Sequence, residues 1–507
     1  MSRACGAHLR RVFLPLALAL SLTSANATQS AQQQPPSSSS SQQSNDQKPS
    51  EQDGGASQPN SKSDAQAGKA ETKITPAQAE QLFRDVDTIL DFASKDTSLP
   101  KKHDVKRRLA SREEVVSYLK KNMAEEKDVQ RLRRTELVLK KFGLLPKDFD
   151  LQTFLVNLLE EQVAGYYDAK TKTVNLLDWV VPDLQRPVLA HELTHALQDQ
   201  SFGLDKWLKR GSEDLDTKRN LKPEDLVKDE DSEARQAVVE GQAMVVLLDY
   251  MLAPMHRTVA DSPEVVETLN ADMAAGTPDS VQFKKAPIFL KESLTFPYRY
   301  GMEFEAEVLR AQGKEKAFAA PFANPPHTSR EIMEPKTYLA GEHLSPLPLP
   351  DFKKIFKNYN RFDIGAIGEF DVDVLTEQYA GEQAARRIYP NWRGGYYYSV
   401  HTKKDSAGAL GLLFVSKWAS ARWAEEFAAI YAQGIQQRYK RAEAPAGSDL
   451  PAEMKKLQSL GGDHTWNTED GAVTVGVKGD TVLVTESLDA AITDQFRRAV
   501  LGEKETH

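Results

Sequence analysis

The sequence of 507 residues is long enough for two or three domains, each with a packed core. Hydrophobic residues (40%) and charged residues (27%) are in the ordinary balance of a globular protein, which excludes a chain that is disordered throughout. The net charge of −8 gives no general case for nucleic-acid binding, so we expect no nucleic-acid partner.

Residues 1–27 have the pattern of a secretory signal peptide. Arg3, Arg10 and Arg11 precede a short apolar run, and a small-x-small cleavage site ends at Ala27. The run is too short for a stable membrane anchor, and no later stretch is expected to span a bilayer. We therefore expect cleavage near Ala27 and a secreted or periplasmic protein.

The single cysteine, Cys5, lies within this segment. After cleavage the chain would have no disulfide, no thiolate nucleophile and no thiolate ligand for zinc. A metal site in the mature protein would therefore consist of His, Asp and Glu side chains.

Composition divides the rest of the chain into three parts. Residues 28–72 are rich in Gln, Ser and Pro and contain almost nothing apolar, so they predict a disordered linker. Residues 73–350 predict a first folded domain whose first part, 73–163, is helical. A proline-rich boundary precedes residues 351–507, which predict an α+β accessory domain. The expected fold class is α+β.

Helical patterns dominate the first part of the domain over residues 73–350. Thr75 followed by proline is an N-cap, and Ser111-Arg-Glu-Glu114 is a capping box. Two further helices are expected over Leu132 to Phe142 and Leu151 to Val163. The charged run from Lys101 to Arg108 is interpreted as a solvated linker, with a binding patch as the alternative.

A change of period precedes the next helix, because Gly165 to Asp168 and Thr173 to Leu177 have the pattern of a hairpin. The elements expected after the hairpin are a helix with Pro187 in its first turn, a polar loop over 201–228, an apolar helix over 229–252, and a short helix ending at Leu309 between polar-aromatic loops.

The C-terminal part alternates between helical and strand patterns. The expected helices are Leu375 to Arg387, Ala421 to Tyr439 and Asp489 to Leu501, and the expected strands are Gly395 to His401, Ala409 to Ser416 and a hairpin over Ala472 to Thr485. The tyrosines at 396–398 are interpreted as sheet core, with a ligand site as the alternative.

The chemically informative motif is His191-Glu-Leu-Thr-His195, in the spacing H-E-x-x-H. Residues four apart lie on the same face of a helix, so His191 and His195 can bind one metal ion. Glu192 lies beside them, where it can take a proton from a water on that metal. The alternative is a pair of hydrogen-bonded core histidines.

A catalytic zinc ion takes three protein ligands and leaves a fourth position for water. No third histidine follows in the elongated H-E-x-x-H-x-x-G-x-x-H pattern, because Ser201 occupies its place. Glu240 is the preferred third ligand, since it interrupts an apolar helix and Gly241 lets a neighbouring backbone approach. Glu233 is the fallback, seven residues earlier on nearly the same face, and Asp231 is a weaker candidate.

The His191-Glu-Leu-Thr-His195 motif with a later Glu240-Gly241 resembles the gluzincin metallopeptidases, whose third zinc ligand is a glutamate. The wider sequence is similar to a poorly characterised group of exported bacterial and archaeal metallopeptidases of that clan. The matching segments are 165–168, 189–200, 240–241, 296–298 and 324–329. The resemblance implies a mostly helical zincin-like core, a Zn²⁺ cofactor and hydrolysis of peptide bonds by water.

The expected reaction is attack of a zinc-bound water on a peptide or protein substrate, with Glu192 as the general base. Tyr298 and His327 are candidate donors to the developing oxyanion, as are Tyr300 and Arg330. Asp199, one turn after His195, is a candidate to orient that imidazole. The hairpin could add an edge strand to an extended substrate.

Two other functions fit the same residues. The chain could be a zinc-binding or inactive zincin-fold interaction protein, although such a protein has no need of a base at Glu192. It could also be a zinc hydrolase of a non-peptide amide or ester, which the sequence does not distinguish from a peptidase. The sequence carries no indication of the oligomeric state.

Overall fold

The structure is a computed structural model. It describes residues 73–502 apart from 124–125, 162–164, 211–214, 216–220, 277–279, 445–449 and 451–453. The predicted signal peptide and disordered linker lie outside the described residues. Helices and strands are combined in an α+β fold with a C-terminal β-sheet, which confirms the predicted fold class.

The N-terminal part is helical, as predicted. Its helices are α1 (Pro76–Thr97), α2 (Arg112–Met123), α3 (Glu126–Lys141) and α4 (Leu151–Glu161). The Thr75 hydroxyl accepts from the backbone N–H of Gln78, and the Gln78 side chain accepts from the Thr75 N–H, so two otherwise unpaired donors are satisfied at the start of α1. The capping box at Ser111 and Glu114 is confirmed in the same way before α2.

A small sheet lies beside these helices, with β1 (Lys106–Ala110), β2 (Tyr166–Asp168) and β3 (Thr173–Leu177) in the order β1-β3-β2. The hairpin of β2 and β3 is confirmed, and β1 pairs with β3 in parallel. The interpretation of Lys101 to Arg108 as a linker is therefore wrong for its last three residues, which belong to β1, although Lys106 and Arg108 are exposed to solvent. Arg107 is partly buried and bonds Asp87 at 2.8 Å.

Three long helices form the centre of the molecule: α5 (Pro182–Phe202), α8 (Asp231–Leu252) and α11 (Ile288–Gln312). Helix α5 begins five residues before Pro187, so this proline lies inside the helix and not in its first turn. The polar loop expected over 201–228 is wrong in part, because it contains the short helices α6 (Leu204–Lys209) and α7 (Pro223–Val227). Trp207 of α6 is buried and donates to the Phe322 carbonyl, which fixes the segment to the core.

Helices α8 and α11 approach closely at a pair of glycines. A Cβ on Gly241 would lie 2.0 Å from the carbonyl oxygen of Gly301, and a Cβ on Gly301 would lie 2.2 Å from that of Ala237. This confirms the expectation that Gly241 admits a neighbouring backbone. The short helix expected to end at Leu309 is instead a single helix of 25 residues, because the Phe296-Pro-Tyr298 segment is itself helical.

Shorter helices connect this centre to the C-terminal part. They are α9 (Pro263–Ala275), α10 (Val281–Lys285), α12 (Lys314–Ala317), α13 (Ala320–Ala323), α14 (Ser329–Met333), α15 (Pro335–Ala340) and α16 (Phe352–Ile355).

Within the described residues, the C-terminal part contains a seven-stranded antiparallel sheet in the order β4-β5-β6-β10-β9-β8-β7. The strands are β4 (Tyr359–Ala366), β5 (Trp392–Thr402), β6 (Gly411–Trp418), β7 (Ala442–Glu443), β8 (Gly462–Thr468), β9 (Gly471–Lys478) and β10 (Thr481–Glu486). The helices are α17 (Glu369–Ala380), α18 (Glu382–Ile388), α19 (Ala421–Arg438) and α20 (Ala490–Leu501). The predicted helix over Leu375 to Arg387 is therefore two helices.

Side chains alternate between the two faces of this sheet, as the pleat of a strand requires. Tyr397 belongs to the main core, while Tyr396 and Tyr398 belong to a second core on the opposite face. All three rings are buried, which supports their interpretation as sheet core. The main core is continuous from Leu82 in α1 to Val484 in β10, so it includes residues from both sides of the predicted boundary at 350.

By length and composition, one stretch of the described residues, Pro223–Met255, could cross a membrane, contrary to the expectation that none would. However, 72% of its most apolar window is buried inside the protein, which is also typical of the core helix of a soluble fold.

Candidate metal centre

Two central helices bring three potential metal ligands together. Helix α5 carries His191 and His195 one turn apart, and α8 carries Glu240 opposite them. The Nε2 atoms of the two histidines are 3.0 Å apart, and Glu240 Oε2 lies 3.1 Å from His191 Nε2 and 3.4 Å from His195 Nε2. Each of the three residues is at most 2% exposed.

The spacing of these three atoms fits a small divalent cation. A tetrahedral zinc ion with bonds of about 2.0 Å holds its ligand atoms roughly 3.3 Å apart. Two imidazoles and one carboxylate are also a donor set that zinc accepts. Within the described residues, His191, His195 and Glu240 form the group of His and acidic side chains that could hold a metal ion. The residues present therefore fit the cofactor that the sequence predicts.

Burial and mutual charge shift the pKa of His191, His195 and Glu240. Burial lowers the pKa of His191 to about 4. Burial also disfavours the charged form of His195, but the carboxylate of Glu240 outweighs it and raises the pKa of His195 to about 9. Conversely, burial favours the neutral acid of Glu240, yet the charge of His195 and the hydrogen bonds from both histidines together outweigh this effect and lower the pKa of Glu240 to about 2. The buried carboxylate of Glu240 is thus stabilised by a positive charge beside it, which a bound cation would also supply.

The second oxygen of Glu240 is held by its own helix. Gln236, one turn earlier, donates from Nε2 to Glu240 Oε1 at 2.7 Å. Oε1 is thereby satisfied, and Oε2 is the oxygen that faces the two histidines. Sequence reasoning missed Gln236, although its spacing of four residues from Glu240 on a buried helix was available.

The expected base, Glu192, is also buried and contacts the small sheet. The backbone N–H of Tyr167 in β2 donates to Glu192 Oε2 at 2.7 Å. Burial raises the pKa of Glu192 to about 8. The hairpin therefore lies next to α5, as the order of elements in the sequence indicated. It contacts Glu192 through the backbone N–H of Tyr167, and the residue types in the hairpin could not have predicted this contact.

The residue that contacts the outer nitrogen of His195 is Gln198 and not the predicted Asp199. Gln198 Oε1 lies 2.9 Å from His195 Nδ1. Asp199 Oδ2 instead accepts from the Tyr167 hydroxyl at 2.9 Å and pairs with Lys172 of the hairpin. Both residues are on the same side of α5 as His195, three and four positions later, and the hairpin draws the carboxylate away.

The candidate oxyanion donors separate into two groups. The ring of Tyr298 in α11 stacks near His191, with centroids 6.3 Å apart, and Tyr298 is 3% exposed. His327 Nδ1 contacts Asp231 at 2.8 Å. Asp231 is nine residues before Glu240, so His327 contacts α8 roughly 13 Å from Glu240 along the helix axis.

The other two candidate donors are engaged elsewhere. The Tyr300 hydroxyl donates to Asp373, and Arg330 pairs with Glu369. Tyr298 is therefore the candidate donor that the fold brings to the ligands.

The alternative third ligands are not part of the group. Glu233 is buried on the same helix but lies outside the set of ligand atoms that the described residues bring together, and Asp231 is engaged with His327. The site thus combines a closely spaced set of potential ligand atoms, the buried carboxyl group of Glu192 and the ring of Tyr298. No family model, curated protein or solved structure matches the chain.

Proposed function

We propose that this chain is an exported zinc-dependent peptidase whose metal ligands are His191, His195 and Glu240. The observation that carries the proposal is the buried set of three ligand atoms 3.0 to 3.4 Å apart with Glu192 on the same helix. Export is inferred from the signal-peptide pattern that ends at Ala27.

A zinc ion held by these residues supplies Lewis acidity, which lowers the pKa of a water ligand to around 7 and polarises the substrate carbonyl. Glu192 would take the proton of the attacking water and return it to the leaving amine. The positive charge of a bound cation favours the carboxylate form of Glu192, so its raised pKa in the metal-free protein is compatible with a role as base.

Two further groups support this chemistry. The Tyr167 N–H holds one oxygen of Glu192, so the carboxyl group keeps a fixed orientation. Tyr298, beside His191, would donate to the oxygen of the substrate carbonyl as negative charge develops on it. A buried site strengthens both interactions because little water competes with them.

The test measures metal content and cleavage of casein or a peptide library by the purified chain and three variants. We expect one zinc per wild-type chain. Glu192→Gln should keep the zinc and lose activity by a factor of about 100 or more. Glu240→Gln should lose the metal, while its matched control, the buried Glu233→Gln on the same helix, should keep it.

Each other outcome selects an alternative. Wild-type protein without stoichiometric metal overturns the proposal. If the protein binds zinc but cleaves neither peptides nor esters, the alternative of a zinc-binding interaction protein is favoured. If it cleaves only esters or non-peptide amides, the alternative of a zinc hydrolase of non-peptide substrates is favoured. Loss of zinc from Glu233→Gln with retention by Glu240→Gln would assign the third ligand to Glu233.

A further inference from the structure

A row of buried amides extends from His195 away from the metal ligands. Gln198 Oε1 contacts His195 Nδ1 at 2.9 Å, and Gln198 Nε2 donates to Gln242 Oε1 of α8 at 3.0 Å. Gln242 Nε2 lies 3.4 Å from Glu305 Oε2 of α11. The three side chains after His195 have no solvent exposure, so water does not substitute for any of these contacts.

The direction of each amide follows from a backbone carbonyl. Gln198 Nε2 lies 3.2 Å from the Val239 carbonyl oxygen, and Gln242 Nε2 lies 3.2 Å from that of Ala317. A carbonyl oxygen only accepts hydrogen bonds, so the NH₂ end of each amide must face it. The oxygen of Gln198 must then face His195, and an amide oxygen also only accepts. The Nδ1 atom of His195 must therefore carry a proton.

The row ends at a buried carboxyl group. Glu305 has no solvent exposure, and burial raises its pKa well above the ordinary value, which favours its uncharged form. An ionised carboxylate next to His195 would change the charge of the ligand set, whereas two amides do not. The outer side of His195 thus faces an amide oxygen, which fixes Nδ1 as a ring nitrogen that carries a proton.

We propose that Gln198, supported by Gln242, is the positioning residue that keeps a proton on His195 Nδ1 and so presents Nε2 as a metal ligand. This inference rests on the proposed function for the identity of the metal. The effect is specific to His195, because the Nδ1 atom of His191 has no hydrogen-bond partner among the described residues.

The experiment compares Gln198→Leu with Gln198→Glu in the full chain. Leucine removes the acceptor at nearly the same size, and glutamate restores it. The matched control is Gln185→Leu, since Gln185 is a buried glutamine on the same helix that bonds the backbone at Leu177 and Val180. Zinc affinity is measured by chelator competition, and the melting temperature is measured without metal.

We expect Gln198→Leu to bind zinc about 10- to 100-fold more weakly. Gln198→Glu should bind zinc at least as tightly as wild type, although its melting temperature falls. Gln185→Leu should lower the melting temperature and leave zinc affinity unchanged. Equal losses of affinity in the leucine and glutamate variants, or no loss in either, would overturn the proposal.

A second measurement does not depend on metal. In metal-free protein labelled with ¹⁵N-histidine, the resonance assigned to His195 by its absence from His195→Gln should show a proton on Nδ1, measured above the raised pKa of His195 so that the ring is neutral. Gln198→Leu should lose that protected proton to exchange. If wild-type protein binds no zinc but shows this difference, the proposed function fails and the positioning role stands; if wild type lacks the proton, the positioning role fails.

Discussion

The close approach of α8 and α11 gives the sharpest prediction for stability, through Gly241→Ala. Alanine is the better helix former, and in a helix without tertiary contacts it would stabilise the protein by about 1 kcal/mol. Here the new Cβ would meet the carbonyl oxygen of Gly301 at 2.0 Å. The substitution should therefore destabilise the protein, and the sign of the effect is diagnostic.

The magnitude follows from the displacement that the methyl group requires. A carbon and an oxygen need roughly 3.2 Å, so the helices must separate by about 1 Å. Overpacking of this kind costs about 3 kcal/mol. After the gain of about 1 kcal/mol in helix propensity is subtracted, the net loss is about 2 kcal/mol. The entropy of unfolding is on the order of 1 kcal/mol per degree for a chain of this size, so the melting temperature should fall by roughly 2 °C.

The assay is thermal unfolding of metal-free and zinc-loaded protein. Because Glu240 precedes Gly241 and Tyr298 lies on α11, separation of the helices should also weaken zinc binding or lower kcat. Gly301→Ala should have the same effect, since its Cβ would meet Ala237 at 2.2 Å. Ala243→Gly is the control on α8 and should lose about 1 kcal/mol of helix propensity without a change in zinc affinity. A melting temperature that rises in Gly241→Ala would refute the close approach.

Four further results are expected. Tyr167→Phe removes the hydroxyl that donates to Asp199, so the hairpin should hold the base less firmly; kcat should fall several-fold with zinc affinity unchanged, and equal losses in both would refute this role. Burial raises the pKa of Asp373 to about 7, so the folded protein loses stability as pH rises toward that value; the advantage of Asp373→Asn over wild type should grow by about 3 kcal/mol between pH 5 and pH 8 in denaturant titrations. Glu486→Gln leaves the buried Arg438 without its carboxylate and should cost about 3 to 5 kcal/mol of unfolding free energy, measured in urea. Chelation of a metal present at 1,000 times its Kd should remove about 4 kcal/mol of stability, and an unchanged melting temperature after chelation would contradict a metal bound in the folded state.

The ligands could be predicted because their arrangement is local or nearly so. The spacing of His191 and His195 places both on one helix face whatever the rest of the chain does. Glu240 could be found because a carboxylate interrupts an apolar helix beside a glycine, and the close contact at Gly241 accounts for the glycine. Capping residues such as Thr75 likewise act within one turn, so their pattern gives the start of a helix directly.

The surroundings of the ligands could not be predicted, because they depend on contacts between distant segments. Gln198 and Asp199 are both placed to reach His195, and only the position of the hairpin directs Asp199 toward Tyr167. The parallel pairing of Lys106–Ala110 with the hairpin is equally invisible in a charged run, since the partner strand is 67 residues later.

The sequence by itself determined that His191 and His195 share a helix face with Glu192 beside them and that a carboxylate is the candidate third ligand, because helix periodicity and residue chemistry are properties of the chain. The tertiary structure alone decided which of two neighbouring side chains orients His195, that Tyr298 and not His327 lies beside the ligands, and that a backbone N–H holds Glu192. Those contacts depend on how the helices and the hairpin pack against each other. Packing brings together residues that are far apart in the sequence, and no periodic pattern in the sequence indicates which of them will meet.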